Sequence, residues 1–324
     1  MSDLTIVVMT RDRVDLLKKA LRSVFEHPFK RPPVVVSDNS TREYPEMEDL
    51  QQQYGFSSIR QSGRLTATEH HNACLRLATT RWVWLLHDDD ELCPDTFAGV
   101  EGCLKDCDDV GLVVGGVSDI NAEGNVTRQW VPSAKGVLKG DAGLLEVGLN
   151  WSARAPCQIF QTHASLGIGG FREIAGYPSD LAFACTLAYA SGVRFYKNVI
   201  GRWRTGDHQT SHLESDAQLR GWVSFHGVQV ELIRSLKGDP QVADRMADSL
   251  MWSTFLYVTG GRKVSPMLMY FLRNQCLQYS PQPGEWRQRV EGRYPFLFRR
   301  PAWIAWPLYR LLRKARYLWG VRTS

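Results

Sequence analysis

Three consecutive aspartates, Asp88, Asp89 and Asp90, are the residues of this sequence with the clearest chemical potential. They follow the apolar run 82–86, which has the composition of a buried strand. Carboxylates at this spacing repel one another, so their ionised form is costly unless a cation compensates them. Hard divalent ions such as Mn²⁺ and Mg²⁺ prefer carboxylate oxygens. The cluster therefore predicts a metal site; the alternative is a solvated acidic turn that caps the helix near residue 94.

A further carboxylate, Asp38, also ends a short apolar run, 34–36, that indicates a buried strand. Ligands bind outside the carboxyl ends of the strands in open α/β sheets, so Asp38 is expected near the aspartate cluster. Its carboxylate can accept hydrogen bonds from a nucleobase N–H or a ribose hydroxyl. An Asx-turn after the strand is the alternative role.

The tripeptide His70-His71-Asn72 suggests metal binding at first sight. Adjacent residues of a helix point about 100° apart, so the two histidines do not easily share one ion. We therefore expect no metal at the histidine pair. One of these histidines, or Asn72, is instead predicted to line a ligand pocket.

The elements that must position these residues alternate between strand and helix. A strand–helix–strand order predicts parallel pairing with a right-handed crossover. Further strands are expected around 110–117, 126–130, 155–162 and 194–200, and the last hundred residues have helical periodicity. The predicted early elements are strands over 4–9, 34–36, 58–60 and 82–86, and helices over 14–24, 44–54, 68–78 and 94–104.

This order predicts an α/β fold with helices on both sides of a sheet. We expect a catalytic domain over 1–214, a helical appendage over 215–292 and a basic amphipathic tail over 293–324. Hydrophobic residues make up 44% of the chain and charged residues 23%, which is typical of a globular protein with an ordinary core. The seven irregularly spaced cysteines predict free thiols in a reducing cytoplasm, and no signal peptide is apparent.

The net charge of +5 is distributed unevenly. From Arg287 to the end, ten Lys and Arg accompany a single acid, Glu291. Tryptophan at the border of a basic amphipathic helix favours a lipid headgroup zone, and anionic lipid attracts the cations. The alternative is a helix that packs on the protein itself. The residues predicted to contact a membrane are Trp303, Trp306, Arg310, Arg313, Lys314 and Trp319.

Four segments in this order resemble the family-2 glycosyltransferases, which have the GT-A fold. The resemblance covers about residues 4–212, and it implies a GT-A type, Rossmann-like mixed sheet flanked by helices, followed by a C-terminal helical appendage. The segments are TIVVMTRDR at 5–13, VVSDNS at 35–40, WLLHDDD at 84–90, and IGGFRE at 168–173 followed by Ser179-Asp180-Leu181.

The resemblance implies a role for each segment. Asp38 would contact the base of a nucleotide diphosphate sugar, and the aspartates 88–90 would stand at the DXD position of the family. Asp180 would be the general base, with Ser179 in place of the first acid of the usual pair, and His87 stands where many members have an aspartate. The resemblance also implies three sets of contacts. The donor would be bound by Thr10, Arg11, Asn72, Asp88 and Asp89, and the metal by Asp90, Asp88 and His208. The acceptor side would be formed by Gly169, Gly170 and Phe171.

The function that the resemblance implies is inverting transfer of a glycosyl group from a nucleotide diphosphate sugar, with UDP the expected nucleotide, to an acceptor hydroxyl. Mn²⁺ or Mg²⁺ is the expected cofactor. The acceptor is predicted to be a lipid-linked saccharide of bacterial surface polysaccharide assembly. We therefore expect a cytoplasmic protein that associates peripherally with an anionic membrane surface, the inner face of the cell membrane.

Two other functions are considered. A sugar nucleotidyltransferase would normally have a glycine-rich, basic phosphate loop after the first strand, whereas residues 10–13 contain no glycine. A non-catalytic nucleic-acid-binding module would use the basic, aromatic tail. It leaves Asp38, the aspartate cluster and Asp180 without a role, so no nucleic-acid partner is expected.

Overall fold

A computed structural model describes most of the chain in two compact units. Unit 1 consists of Met1–His212 and Leu232–Asp239, and unit 2 of Leu213–Glu231 and Pro240–Ser324. The described residues are 2–26, 29–149, 154–174, 177–178, 180–206, 219–220, 223, 226–227, 230–231, 233–236, 238–260 and 264–299.

Unit 1 is built on a ten-stranded mixed sheet. Its strands are β1 (Leu4–Thr10), β2 (Val34–Asp38), β3 (Ser57–Arg60), β4 (Trp82–His87), β5 (Glu91–Leu92), β6 (Leu112–Ile120), β7 (Val126–Trp130), β8 (Gly136–Leu138), β9 (Gln158–Gln161) and β12 (Val193–Arg204). The strands β10 (Glu173–Ile174) and β11 (Tyr177–Pro178) form a separate two-stranded sheet.

The main strand order is β3-β2-β1-β4-β9-β6-β12-β5, with β7 on β6 and β8 on β12. The strands from β3 to β4 are mutually parallel, and β9 lies antiparallel between β4 and β6. All seven residues of β1 are buried, which is the pattern of a central strand covered on both faces. The carboxyl ends of β1, β2 and β4 meet at one edge of the sheet.

Seven helices of unit 1 accompany the sheet among the described residues. In the first of them, Leu17, Ala20, Leu21 and Val24 are buried at helical spacing. The helices are α1 (Val14–Phe25), α2 (Glu46–Tyr54), α3 (Ala67–Leu77), α4 (Thr96–Lys105), α5 (Gly140–Leu149), α6 (Thr162–Gly167) and α7 (Asp180–Ser191).

Unit 2 is helical where it is described. Trp252 and Phe255 are fully buried in its core, and the ring of Phe298 lies 5.8 Å from that of Trp252. Its helices are α8 (Pro240–Thr259), α9 (Pro266–Tyr279), α10 (Glu285–Arg293) and α11 (Phe296–Arg299). Among the described residues, no helix is both long and apolar enough to span a bilayer.

The predicted fold class is confirmed, and the early strands and helices lie within a few residues of their predicted positions. The segment 166–171 begins inside α6, whose N-terminus is capped by the Gln161 side chain. The predicted strand 155–162 is shorter, because a 3-10 turn at Ala155–Cys157 occupies its start. The domain limits at 214 and 292 stay a prediction.

Candidate active site

Parallel pairing brings the predicted site residues of three strands to one edge. In register, Thr10 at the end of β1 is opposite Asp38 at the end of β2. On its other side, Met9 of β1 is opposite His87 at the end of β4. The aspartates that follow β4 therefore lie beside the loop that follows β1, as the sequence suggested for strands that end at a common edge.

The three aspartates have different environments. Asp88 is fully buried, and its Oδ2 accepts hydrogen bonds from the Thr10 hydroxyl at 2.8 Å and the Arg11 backbone N–H at 3.2 Å. The guanidinium of Arg13 lies between two of the carboxylates, 2.6 Å from Asp88 Oδ1 and 3.0 Å from Asp89 Oδ2. Burial raises the pKa of Asp88 to about 6, an increase that the charge of Arg13 opposes. Asp88 thus contacts the β1 loop.

A potential set of metal ligands consists of His87, Asp89 and Asp90, whose nearest ligand atoms all lie within 4.8 Å of one another. Asp90 is buried, and its Oδ1 accepts a hydrogen bond from the Arg204 backbone N–H at 3.0 Å. Its other oxygen, Oδ2, has no hydrogen-bond partner among the described residues. Burial, followed by the neighbouring charge of Asp89, raises the pKa of Asp90 well above its ordinary value. A divalent cation would satisfy this oxygen and offset the repulsion.

Hydrogen bonds orient the ring of His87 toward Asp90. His71 Nδ1 is 2.7 Å from the carbonyl oxygen of Ala67, so this nitrogen must carry a proton. Burial lowers the pKa of both His71 and His87, the latter to about 4, so both rings are neutral at pH 7. The neutral His71 then accepts at Nε2 from His87 Nε2, 3.0 Å away. The lone pair of His87 is left on Nδ1, which lies 4.0 Å from Asp90 Oδ2.

Arg204 fixes the loop that carries the acidic cluster. Its side chain is 2% exposed, and its Nε donates to the Asp89 carbonyl at 3.0 Å. Its terminal nitrogens donate to the carbonyls of Asn121 and Ala122 and to the Glu91 carboxylate. Arg204 therefore ties the end of β12 to the turn after β4, and its guanidinium is used in structural contacts.

The Asp38 carboxylate has two partners. Its Oδ1 accepts from the Ser40 N–H at 2.8 Å, which is the Asx-turn considered as an alternative, and its Oδ2 is 2.5 Å from Arg60 NH1. Ser37 contacts His70 Nε2 at 3.0 Å beside it. Burial is the main reason why the pKa of His70 falls to about 4, so this ring is also neutral at pH 7. The nucleobase contact of Asp38 stays a prediction.

Phe171, one of the residues predicted for the acceptor side, contacts α3. Asn72 makes hydrogen bonds of 2.8 Å to both the N–H and the carbonyl of Phe171, and the Phe171 ring is buried against Phe183. Asp180 begins α7 and is solvent-exposed, with Oδ1 accepting from the Leu181 N–H at 2.8 Å. Desolvation by the surrounding protein raises the pKa of the Asp180 carboxyl, while the hydrogen bond from the Leu181 N–H and the nearby His71 lower it.

Several predicted residues have other placements. Arg11 donates from its guanidinium to the Leu65 carbonyl at 3.2 Å. The predicted residues His208, Trp303, Trp306, Arg310, Arg313, Lys314 and Trp319 lie outside the described residues.

Sequence reasoning did not identify Arg13 or Arg60 as parts of the site, nor the contact between His71 and His87. A signal existed for Arg13, a basic residue in the loop after β1. Arg60 becomes recognisable only once β3 is known to pair with β2, because Asp38 and Arg60 are opposite each other in register.

Comparisons with known proteins agree with this architecture. Residues 5–143 match the family described as glycosyl transferase family 2. No curated protein is similar enough to the chain to count as a match.

Solved structures share the fold at low sequence identity. S. aureus TarS 1–349 superposes with a TM-score of 0.64 at 14% identity, over 87% of this chain and 81% of that chain. Its complex with UDP-GlcNAc gives a TM-score of 0.63 at 15% identity, over 87% and 82% of the two chains. The mannosyltransferase PcManGT from Pyrobaculum calidifontis, in complex with GDP-Man and Mn²⁺, gives 0.53 at 14% identity, over 98% and 87%.

The resemblance found in the sequence is thereby confirmed for residues 5–143, which match the model of glycosyl transferase family 2, and the chain shares the GT-A type fold of these solved structures.

Proposed function

We propose that this protein is an inverting, metal-dependent glycosyltransferase that uses a nucleotide diphosphate sugar. The observation that carries the proposal is the buried Asp90, whose Oδ2 has no hydrogen-bond partner among the described residues and lies beside Asp89 and His87. The family match supports glycosyl transfer. Structural neighbours in complex with UDP-GlcNAc and with GDP-Man and Mn²⁺ support the donor class and the metal.

Asp90, Asp89 and His87 would hold Mn²⁺ or Mg²⁺, and Asp88 and His208 stay further candidates. When bound, the cation would supply positive charge to stabilise the departing diphosphate. His87 fits this ligand set because its Nδ1 lone pair lies on the Asp90 side, and His71 fixes that tautomer. Carboxylate ligands suit hard cations, and an imidazole ligand suits first-row transition ions. A site with both kinds of ligand favours Mn²⁺ over Mg²⁺.

The donor nucleotide is assigned to the edge formed by Thr10, Asp38 and the aspartate cluster, with UDP the proposed nucleotide. Asp180 would take the proton of the acceptor hydroxyl as that oxygen attacks the anomeric carbon. Attack on the face opposite the diphosphate inverts the anomeric configuration, and no protein nucleophile is needed. Asp180 suits the role of base because it is exposed to solvent, where an acceptor hydroxyl can reach it.

The acceptor is proposed to be a saccharide linked to lipid, as in bacterial surface polysaccharide assembly, and the protein to act at the inner face of the cell membrane. The ten cations that follow residue 286 support attraction to anionic lipid. In unit 2, Met267 and Phe271 are one helical turn apart on α9 and are 43% and 37% exposed. Exposed apolar side chains suit the headgroup zone.

A donor screen tests the enzymatic proposal. UDP-, GDP- and dTDP-sugars are incubated with and without Mn²⁺, and nucleotide release is measured with wild type and with Asp90→Ala and Asp180→Ala. Asp90→Ala should lose metal-dependent donor binding. Asp180→Ala should keep it and lose transfer by about 10²–10⁴-fold, the usual contribution of a general base.

Asp15→Ala is the matched control, because this carboxylate is 89% exposed on α1 and forms only a surface pair with Lys18. It should behave as wild type. The anomeric configuration of the first product, read by NMR, tests inversion. Equal metal-dependent turnover by wild type and Asp90→Ala would refute the assigned chemistry.

A further inference from the structure

The carboxamide of Asn72 is bonded to both backbone polar groups of one distant residue. Its Nδ2 donates to the Phe171 carbonyl and its Oδ1 accepts from the Phe171 N–H, each at 2.8 Å, across 99 residues of sequence. The backbone N–H can only donate and the carbonyl can only accept, so the orientation of the amide is determined. These two bonds engage both polar ends of the side chain.

The preceding residue, Gly170, leaves room for this approach. Gly170 has φ +70°, and a Cβ added there would lie 2.3 Å from Asn72 Oδ1. Its own N–H donates to the Ser165 carbonyl at 3.0 Å, which closes the turn after α6. Any other residue would displace the carboxamide and would also adopt a strained backbone conformation.

The Phe171 side chain holds the same loop from the other direction. Its ring is 4% exposed and stacks on Phe183, with ring centroids 3.9 Å apart. It also lies 4.8 Å from the ring of His71, which is hydrogen-bonded to His87. Two neighbouring residues of α3 therefore connect the loop to the candidate metal ligands, Asn72 through the backbone and His71 through the ring.

We propose that Asn72 is a positioning residue that fixes the acceptor-side loop 168–171 relative to the metal site, and that it does not bind the donor. The assignment of this loop to the acceptor rests on the proposed function. An acceptor hydroxyl must be held at a set distance from the donor sugar, and misplacement by about 1 Å can cost about 100-fold in rate. The Asn72–Phe171 pair sets that distance from the protein side.

Hydrogen exchange tests the two Asn72–Phe171 hydrogen bonds in the protein without any ligand. In Asn72→Ala, the amide of Phe171 loses its acceptor and should exchange at least about tenfold faster, as read by mass spectrometry of peptides spanning 165–174. Gly170→Ala should produce the same change from the opposite side. Arg76→Ala, an exposed position on the last turn of α3, is the matched control and should leave the exchange unchanged.

Asn72→Asp is a second variant that can be measured if Asn72→Ala does not fold. It is isosteric and can accept from the Phe171 N–H, but its carboxylate cannot donate to the carbonyl, so its exchange rate should lie between those of wild type and Asn72→Ala. Thermal unfolding identifies any variant that does not fold. An unchanged exchange rate of the Phe171 amide in folded Asn72→Ala would overturn the positioning role of Asn72.

Kinetics distinguish an acceptor-side role from a donor-side one. UDP-GlcNAc serves as donor probe and a panel of p-nitrophenyl hexopyranosides as acceptor probes. Asn72→Ala should lower kcat/KM for the acceptor by about 10- to 100-fold while the donor KM changes by less than about twofold. An equal rise in the donor KM would overturn the proposal. If wild type transfers to no acceptor, the enzymatic proposal fails, and hydrogen exchange still decides the role of Asn72.

Discussion

At the scale of single residues, the three neighbouring aspartates differ because each meets a different partner. Asp88 has the Thr10 hydroxyl and the Arg13 guanidinium, whereas Asp90 has a backbone N–H at one oxygen and no partner for the other among the described residues. A triplet in the sequence does not show this, because consecutive side chains point in different directions. The structure therefore supports a structural role for the Asp88 carboxylate and leaves one oxygen of Asp90 available for a cation.

Removal of Arg13 should destabilise unit 1. Asp88 is completely buried, and without the guanidinium its Oδ1 loses its cationic partner. Breaking a buried pair costs about 3–5 kcal/mol, but Arg13 is 35% exposed, so we expect Arg13→Ala to lower the free energy of unfolding by about 1–3 kcal/mol. Chemical denaturation in metal-free buffer measures this.

Lys18→Ala is the matched control, because its partner Asp15 is 89% exposed. It should change the stability by less than about 0.5 kcal/mol. Equal effects of the two substitutions would contradict the role given to Arg13.

The raised pKa of Asp180 predicts the acid limb of the pH–rate profile. A general base acts in its ionised form, and the surrounding protein moves this carboxyl above its ordinary pKa of 3.8. The value of kcat/KM should therefore fall as pH decreases through a pKa above 3.8, measured at saturating Mn²⁺. Asp180→Asn should remove this limb together with most of the rate. A limb unchanged in the variant would assign the titration to another group.

At the scale of elements, the packing of β12 positions the backbone group that contacts Asp90. Gly201 of β12 faces the 3-10 turn before β9, and a Cβ there would lie 2.2 Å from the carbonyl oxygen of Pro156. Three residues later, the backbone N–H of Arg204 bonds to Asp90. Close packing at Gly201 thus keeps the strand in the position that its carboxyl end requires.

Gly201→Ala should therefore disturb both stability and metal binding. The added methyl group meets backbone, which does not move easily, so we expect a loss of about 1–3 kcal/mol and weaker Mn²⁺ binding. Calorimetric titration of Mn²⁺ and chemical denaturation measure the two effects.

Gly102→Ala is the control for Gly201→Ala, because the methyl group added at Gly102 meets no other atom. It lies in the interior of α4 with nothing within 4 Å of the added Cβ, so it should stabilise by about 0.5–1 kcal/mol. A destabilised Gly102→Ala together with an unaffected Gly201→Ala would refute the packing argument.

The elements themselves were largely predictable because their periodicity is local. The apolar runs of β1, β2 and β4, and the helical spacing in α1, identify these elements without tertiary information. Strand order was not predictable, since β9 joins β4 and β6 only through contacts distant in sequence. The pairing of Asp38 with Arg60 follows from register for the same reason.

At the scale of the whole molecule, the basic tail should carry membrane attachment. The prediction from sequence began at residue 293, but Leu297 is fully buried in unit 2 and the Phe298 ring lies 5.8 Å from Trp252. A deletion must therefore keep residues up to 299. Residues 1–299 should lose binding to vesicles that contain phosphatidylserine, measured by co-sedimentation.

Substitution of Arg310, Arg313 and Lys314 by Gln in the full chain should weaken that binding by about 1 kcal/mol per charge. Neutral phosphatidylcholine vesicles are the lipid control. Undiminished binding of residues 1–299 to anionic vesicles would assign attachment to another surface.

The late position of β12 in the sequence also has a consequence during synthesis on the ribosome. The family match ends at residue 143, yet the partner of β6 is completed only at Arg204, whose N–H also supports Asp90. A nascent chain that has emerged only to residue 143 has the three aspartates but not the strand that holds one of them in place. Under the proposed function, capture of the metal ion is therefore expected to be a late event in biogenesis, after more than sixty further residues have been translated.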